Sequence, residues 1–290
     1  AAAESPRLRN WANYWRADFT SELDPPRGLN LYRAAFADFE EARDPLGMLF
    51  CATRAGVNFR RSDLQQARLW SERAVEFARN TADPFTLAGT LSNLADVVKD
   101  LGQYEYAHAL YLEAMRLFED TGDRENATWS LSHQADLFRE QGDDSQARAL
   151  YTQALARFRA LRIPLGVASC LHDLAGAADA AGDLVEAQCL YKECIVLYGP
   201  ENKAELPRVL EAFAWLALEV QAPERALTLA GAAAAMRERY SLRFFRPGRL
   251  VEIERRIDEA RKQAGPTAAA SWMKGWNMTP EEAIECALAN

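Results

Sequence analysis

A 40-residue internal repeat restricts what this chain can fold into more than any other feature of it. Gly102, Gly142 and Gly182 fall in register, and so do Ala107, Ala147 and Ala187, and Tyr111, Tyr151 and Tyr191. The first half of each segment aligns as well, through Leu91, Leu131 and Leu171 and through Ala95, Ala135 and Ala175. Phe118, Phe158 and Tyr198 keep an aromatic ring, while Ala114 and Ala154 are followed by Cys194, one small residue for another. A period of this length marks stacked supersecondary units, none of which can bury its apolar face alone.

Within one unit, Leu91, Leu94, Ala95 and Val98 are spaced i, i+3, i+4, i+7, one stripe of an α-helix. Gly102 ends that helix, and Ala107, Leu110, Tyr111, Ala114, Leu117 and Phe118 form a second helical stripe. Each unit is therefore expected to be a helical hairpin. Ala95 and Ala107 let its two helices approach closely, and Tyr111 and Phe118 fill space against the next unit. Weaker copies lie on both sides: Ala67 and Ala74 precede Ala107 and Ala114 by 40 residues, and Leu31, Tyr32, Ala35 and Phe39 match Leu110, Tyr111, Ala114 and Phe118 at an offset of 79. Downstream, Ala226 follows Ala187 by 39. The expected array is thus about six units, near 7–42, 44–82, 83–122, 123–162, 163–202 and 203–239.

From residue 240 to 290 the repeat is lost. Pro247-Gly248 is read as a break, Leu250 to Gln263 as a charged amphipathic helix, and Gly275 as a turn after a short helix carrying Trp272. Thr279-Pro280-Glu281-Glu282 spells a capping box opening a last helix to Leu288. This segment is expected to be a helical cap.

Composition narrows the function classes. Lys and Arg number 34 against 42 Asp and Glu, a net charge of −8, which argues against a nucleic-acid-binding surface. Hydrophobic residues make up 49% and charged residues 26%, enough to bury a sizeable core, yet no run approaches the roughly 18 apolar residues of a membrane span. The five cysteines, Cys51, Cys170, Cys189, Cys194 and Cys286, show no C-x-x-C pairing and are expected to be small buried hydrophobes in a reducing, cytoplasmic setting. Ala1-Ala2-Ala3 opens the chain with neither the charged nor the apolar region of a secretory leader, and a piece of a longer protein is expected.

The set Leu94-Ala95, Gly102, Ala107, Tyr111 and Ala114 resembles the tetratricopeptide repeat (TPR). A period of 40 rather than that family's usual 34 implies longer helices. Two further stretches, Ala226 to Ala233 continuing through Met236-Arg237-Glu238 and Trp272 to Ile284, resemble the TPR sensor region of bacterial signal-transducing ATPase regulators of STAND or NB-ARC type, among them the large LuxR-type regulators and relatives of the maltose-regulon activator. The resemblance implies an all-α, right-handed superhelix, an α-solenoid closed by a C-terminal helical cap, acting as the sensor arm of a multidomain regulator with a linked ATPase. These 290 residues contain no G-x-x-x-x-G-K-[ST] loop and no DNA-reading helix-turn-helix, so only the sensor role carries over. A stand-alone scaffold or adaptor remains the alternative.

In arrays of this kind the first helix of each hairpin lines a concave groove. The positions just before the central packed residue are Arg54, Asn93, His133, Asp173 and Ala212, and three residues later come Val57, Asp96, Asp136, Gly176 and Trp215. Phe50, Thr53, Arg60, Lys99, Trp129, Ser132, Arg139, His172, Arg208 and Glu211 flank them. A constant frame with a varied lining fits recognition of one partner, and the aromatic, Arg and Asn residues suit a protein, a peptide or a small-molecule inducer. The candidate groove is Arg54, Asn93, Asp96, Lys99, Trp129, His133, Asp136, Arg139, His172, Asp173, Arg208 and Trp215. His133, Asp136, His172 and Asp173 raise the thought of a metal, but with three histidines in the chain and no close pair on one helix they read better as polar lining. No cofactor is expected. Nor is catalysis, since His108 sits at a packing edge and no Gly-x-Ser-x-Gly elbow occurs. Arg243, Phe244, Phe245, Arg246 and Arg249 form a basic, aromatic knot that suits docking within the molecule. Trp11, Tyr14, Trp15 and Phe19 are read as the packed face of the first hairpin, with docking of an upstream domain or self-association as alternatives.

Overall fold

A computed structural model describes residues 6–60, 62–81, 83–240, 242 and 247–289; the knot residues Arg243 to Arg246 lie outside them, and so does the Arg249 side chain. The chain forms two compact bodies, residues 1–150 and 151–290. All regular structure among the described residues is helical, and no helix there is long and apolar enough to cross a membrane.

Hairpins follow one another in chain order. In the first body they are α1 (Pro6–Leu23) with α2 (Pro25–Glu41), α3 (Pro45–Phe59) with α4 (Leu64–Thr81), and α5 (Pro84–Asp100) with α6 (Tyr104–Asp120). Then come α7 (Arg124–Glu140) and α8 (Asp144–Leu161), the latter running through the division. The second body continues with α9 (Pro164–Ala180), α10 (Leu184–Tyr198), α11 (Leu206–Glu219), α12 (Pro223–Arg239), α13 (Pro247–Ala264), a 3-10 turn at Gly265–Thr267, α14 (Ala268–Trp276) and α15 (Pro280–Leu288).

Local chemistry sets these boundaries. Asp44, Asp83, Asp123 and Asp183 each turn a carboxylate back onto a backbone N–H of the first helical turn, at 3.0, 3.0, 2.9 and 3.0 Å. Proline at the first helical position, as at Pro45, Pro84 and Pro164, loses no hydrogen bond because that N–H has no helical acceptor. At the hairpin tips Gly102, Gly142 and Gly182 adopt φ of 76°, 81° and 79°. The Gly102 N–H reaches back to Lys99 and the Gln103 N–H to Val98, which satisfies carbonyls the helix leaves orphaned. The same left-handed turn is made by Arg43, Arg162 and Gln221, at φ 52°, 57° and 57°, and a side chain there costs roughly 1–2 kcal/mol.

Buried alanines on the facing stripes, Ala95 with Ala107 and Ala175 with Ala187, let helices pair closely, and aromatic rings bridge consecutive hairpins. Phe39 lies where a side chain at Gly47 would be, and Phe158 does the same at Gly166. The first body's core runs from Tyr14, Tyr32 and Phe39 through Phe59 and Trp70 to Leu91, Leu94, Tyr111 and Phe118.

The C-terminal segment departs from expectation in three places. Pro247 opens α13 rather than breaking the chain, because proline is tolerated in a first turn. Gly275 lies inside α14, not at a turn, and is buried. A Cβ at Gly275 would stand 1.8 Å from the Thr228 carbonyl oxygen, and one at Gly231 2.5 Å from that of Trp272, so α12 and α14 touch backbone to backbone. The small-residue run of α12 is thus the seat of the cap. Thr228 Oγ1 donates to the Ser271 carbonyl at 3.2 Å, and Arg225 donates to the Ala287 carbonyl at 3.0 Å, tying α15 back. The capping box at Thr279 is formed on both sides. Among the cysteines, Cys51, Cys170 and Cys194 are buried as expected, but Cys189 is exposed and Cys286 half-exposed.

Candidate functional site

Most of the candidate groove residues sit on the first helices α3, α5 and α7 of the first body. The structure gives their charges partners. Asp18 on α1 accepts hydrogen bonds from Arg54 Nε and Nη2 at 3.1 and 3.0 Å, from the Tyr32 hydroxyl at 2.6 Å and from Asn58 at 3.0 Å. Burial works to raise the Asp18 pKa, but the bonds from Arg54 and Tyr32 outweigh it and hold the carboxyl below its usual range. Arg54 is thus a tie between hairpins as well as a surface residue.

One hairpin further, Arg60 reaches Asp96 at 2.7 Å and Asp100 at 2.6 Å. The Tyr111 hydroxyl makes a short hydrogen bond to Asp96 from the second helix of the same unit. Lys99, buried, lies 4.0 Å from Asp96 and 3.7 Å from Asp136, and Arg139 meets Asp136 at 3.0 Å. Signs alternate along this row from α3 through α5 to α7. Burial opposes ionisation of Asp96, yet His133, Arg60 and Lys99, with the Tyr111 bond, leave its pKa lowered. Burial and the neighbouring Asp96 charge push the Tyr111 phenol upward.

His133 packs its ring 5.5 Å from that of Tyr111 and 6.4 Å from Trp129. Trp129, His133 and Asn93 are each half-buried, and Phe50 is half-exposed one hairpin earlier. In this body the structure therefore assembles Asn93, Asp96, Lys99, Trp129, His133, Asp136 and Arg139, with Arg54 tied separately to Asp18.

In the second body His172 stacks edge-on to Tyr191 at 5.5 Å, and Arg208 pairs with Glu205 at 2.5 Å while feeling the charge of Asp173. Trp215 does not line an open groove. It is 7% exposed, and Arg256 of α13 lies 5.5 Å above its ring. Ala212 is buried with it. Among the described residues no group of three His, Cys, Asp or Glu side chains is placed to hold a metal ion.

Five groups of these networks carried no signal in a single unit: Asp18, Asn58, Asp100 and the hydroxyls of Tyr32 and Tyr111. The signal lay between units. Arg54 and Asp18 are separated by 36 residues, as are Arg60 and Asp96, and Arg60 and Asp100 by 40, so opposite charges about one period apart mark the ties. The second helices repeat the device, with Arg79 to Glu113 at 3.0 Å in the first body and Arg159 to Glu193 at 2.7 Å in the second, both 34 residues apart. A shallow depression between α4 and α6 is lined by Glu72, Glu76, Arg79, Tyr106 and Glu113.

Residues 86–160 match the family model of the tetratricopeptide repeat, which covers two of the three best-preserved units. No curated protein matches the chain. Among solved structures it is similar to a STAND protein with a tetratricopeptide repeat sensor from Pyrococcus horikoshii, at 14% identity and a TM-score of 0.62 over 97% of this chain and 40% of that one. A Rap protein complexed with Competence and Sporulation Factor gives 14% identity and a TM-score of 0.62 over 98% of this chain and 89% of that one. The apo quorum sensor NprR from B. thuringiensis gives 11% and 0.60 over 98% and 89%. At these identities the likeness establishes the fold, an all-α array of TPR-type hairpins.

Proposed function

We propose that the chain is a non-catalytic TPR sensor region that binds an extended segment of a peptide or protein partner along α3, α5 and α7. The observation that carries this reading is the state of that face. Its carboxylates and cations are largely committed to one another, while Phe50, Asn93 and His133 keep part of their surface open to solvent. Aromatic surface beside an Asn amide suits a peptide backbone, which offers both donors and acceptors and apolar side chains. The face is an open surface, which favours a chain-like occupant over a small molecule enclosed in a cavity. Fold neighbours that sense signals, one of them joined to an ATPase, support placing the region in a signal-transducing regulator.

The test is selection of peptides from a displayed random library on the wild type, then titration of the enriched peptides against the Asn93→Ala, His133→Ala double variant. Both residues are only half-buried, so the melting curve should be close to wild type. Affinity is expected to fall at least tenfold; equal affinity refutes the face. The regulator context is tested separately by reading the gene upstream of this region. A nucleotide-binding ATPase encoded in frame supports it, and an unrelated domain or a start codon leaves an adaptor.

A further inference from the structure

The outer face of α1 is apolar. Leu8, Ala12, Trp15, Phe19 and Leu23 follow at steps of four, three, four and four, one continuous stripe along the helix. All are exposed: Leu8 68%, Trp15 50%, Phe19 71% and Leu23 86%, with Ala12 between them. The stripe is distinct from the side of α1 that is packed, where Tyr14 and Ala17 are buried and Trp11 stacks on Phe39 and Phe50. Leu8 precedes Gly47 by the 39 residues that separate Ala35 from Ala74. Gly47 is where Phe39 of the preceding second helix packs on α3, so Leu8 holds the corresponding register position on α1, with an exposed side chain where α3 has none.

We infer that this stripe takes the α1 helix of a second copy of the chain, packed antiparallel about a two-fold axis near Trp15 and Arg16. The sequence of the stripe is self-complementary in that direction. Leu8 falls opposite Leu23 of the partner copy, small Ala12 opposite large Phe19, and Trp15 opposite Arg16, a cation beside an aromatic face. Charge agrees. The N-terminal part of α1 carries exposed Arg7, Arg9 and Arg16 and no acid as far as Arg16, while exposed Asp24 stands just past its C-terminal end. Antiparallel pairing sets Arg7 opposite Asp24, whereas parallel pairing stacks arginine on arginine. A two-fold interface of this kind is closed, so it yields a dimer rather than a filament. One helix of 18 residues is about 27 Å long, and a single seam of that length falls short of the ~800 Å² per partner of a standard interface, so the dimer is weak and forms in the micromolar range. The inference is independent of what the first helices bind.

Sedimentation velocity of the intact chain from low to high micromolar should show the mass rising from monomer towards twice that value, and the Trp15→Glu, Phe19→Glu variant should stay monomeric with an unchanged circular dichroism spectrum. Register is read by cross-linking with exposed Cys189 replaced by Ser. Leu8→Cys and Leu23→Cys proteins should form disulfide-linked dimers when mixed and not when alone, since like positions lie roughly 22 Å apart along the pair. A monomer at every concentration overturns the inference and assigns the stripe to some other helix. A dimer unmoved by the Trp15 and Phe19 changes overturns it too, and so does cross-linking of Leu8→Cys alone, which indicates parallel packing.

Discussion

Replacing Gly275 by alanine should loosen the cap, although on an isolated helix the same change is favourable by about 1 kcal/mol. The new Cβ would lie 1.8 Å from the Thr228 carbonyl oxygen, 2.6 Å from its carbon and 3.0 Å from the Ala232 nitrogen. These are all backbone atoms of α12, fixed by that helix's own hydrogen bonds, and none can rotate away. Ordinary contact begins near 3.4 Å, so α14 must lift by about 1.6 Å and surrender much of its packing. Overpacking of this kind costs typically 1–3 kcal/mol and more when only backbone can yield. After the propensity gain, a net loss of about 2 kcal/mol is expected, confined to α14 and α15. Hydrogen exchange followed by mass spectrometry should show amides of residues 268–288 exchanging roughly 30-fold faster, with the first body unchanged. Gly89→Ala is the internal control. Its Cβ meets nothing within 4 Å, so the same substitution in mid-helix should stabilise by about 0.5–1 kcal/mol. If Gly275→Ala leaves exchange in α14 unchanged or slower, the backbone contact between α12 and α14 is wrong.

Three further outcomes follow from the electrostatics and the turns. Asp18 and Asp96 both have lowered pKa values, so each stabilises fully above the unfolded carboxylate value of about 3.9 and loses that contribution as pH falls through its folded value; urea midpoints should fall on acidification towards pH 2, with a shallower dependence in Asp96→Asn, and an identical dependence in that variant refutes the assignment. Arg162→Gly relieves a left-handed residue at φ 57° and should raise stability by up to about 1 kcal/mol in denaturant titration, whereas Gly142→Ala at φ 81° should lower it by a similar amount. A thiol reagent at neutral pH should label Cys189 promptly and Cys51, Cys170 and Cys194 only on unfolding, since all three are buried and burial pushes the Cys51 thiol up to about 12.

The hairpins were legible because their signals are local. Asp at the helix start, proline behind it, glycine at the tip and a small residue at each close contact all act within a few positions of one another. Gly275 misled for the same reason: glycine a few residues before a capping box reads as a turn, and only the facing backbone of α12 explains it. The candidate site was legible as a set of positions but not as a network. Arg60, Asp96, Lys99 and Asp136 look like independent letters when each unit is read alone, and become ties once residues about one period apart are compared. Trp215 was misplaced because α13, which brings Arg256 over its ring, is no copy of the repeat, so register could not announce it.

The tie from Arg225 on α12 to the Ala287 carbonyl spans 62 residues, far longer than the neighbour-to-neighbour packing of the rest of the molecule. Contacts of short sequence separation form quickly, so hairpins can assemble in order as the chain leaves the ribosome. The closing contact waits for the last of these residues. Until α14 and α15 arrive, the seat on α12 around Thr228 and Gly231 stands open to water, and a ribosome paused just before residue 268 holds out an unsealed apolar ledge. That interval is when a chaperone has most to gain from this chain, and when a truncated product is most exposed to proteolysis.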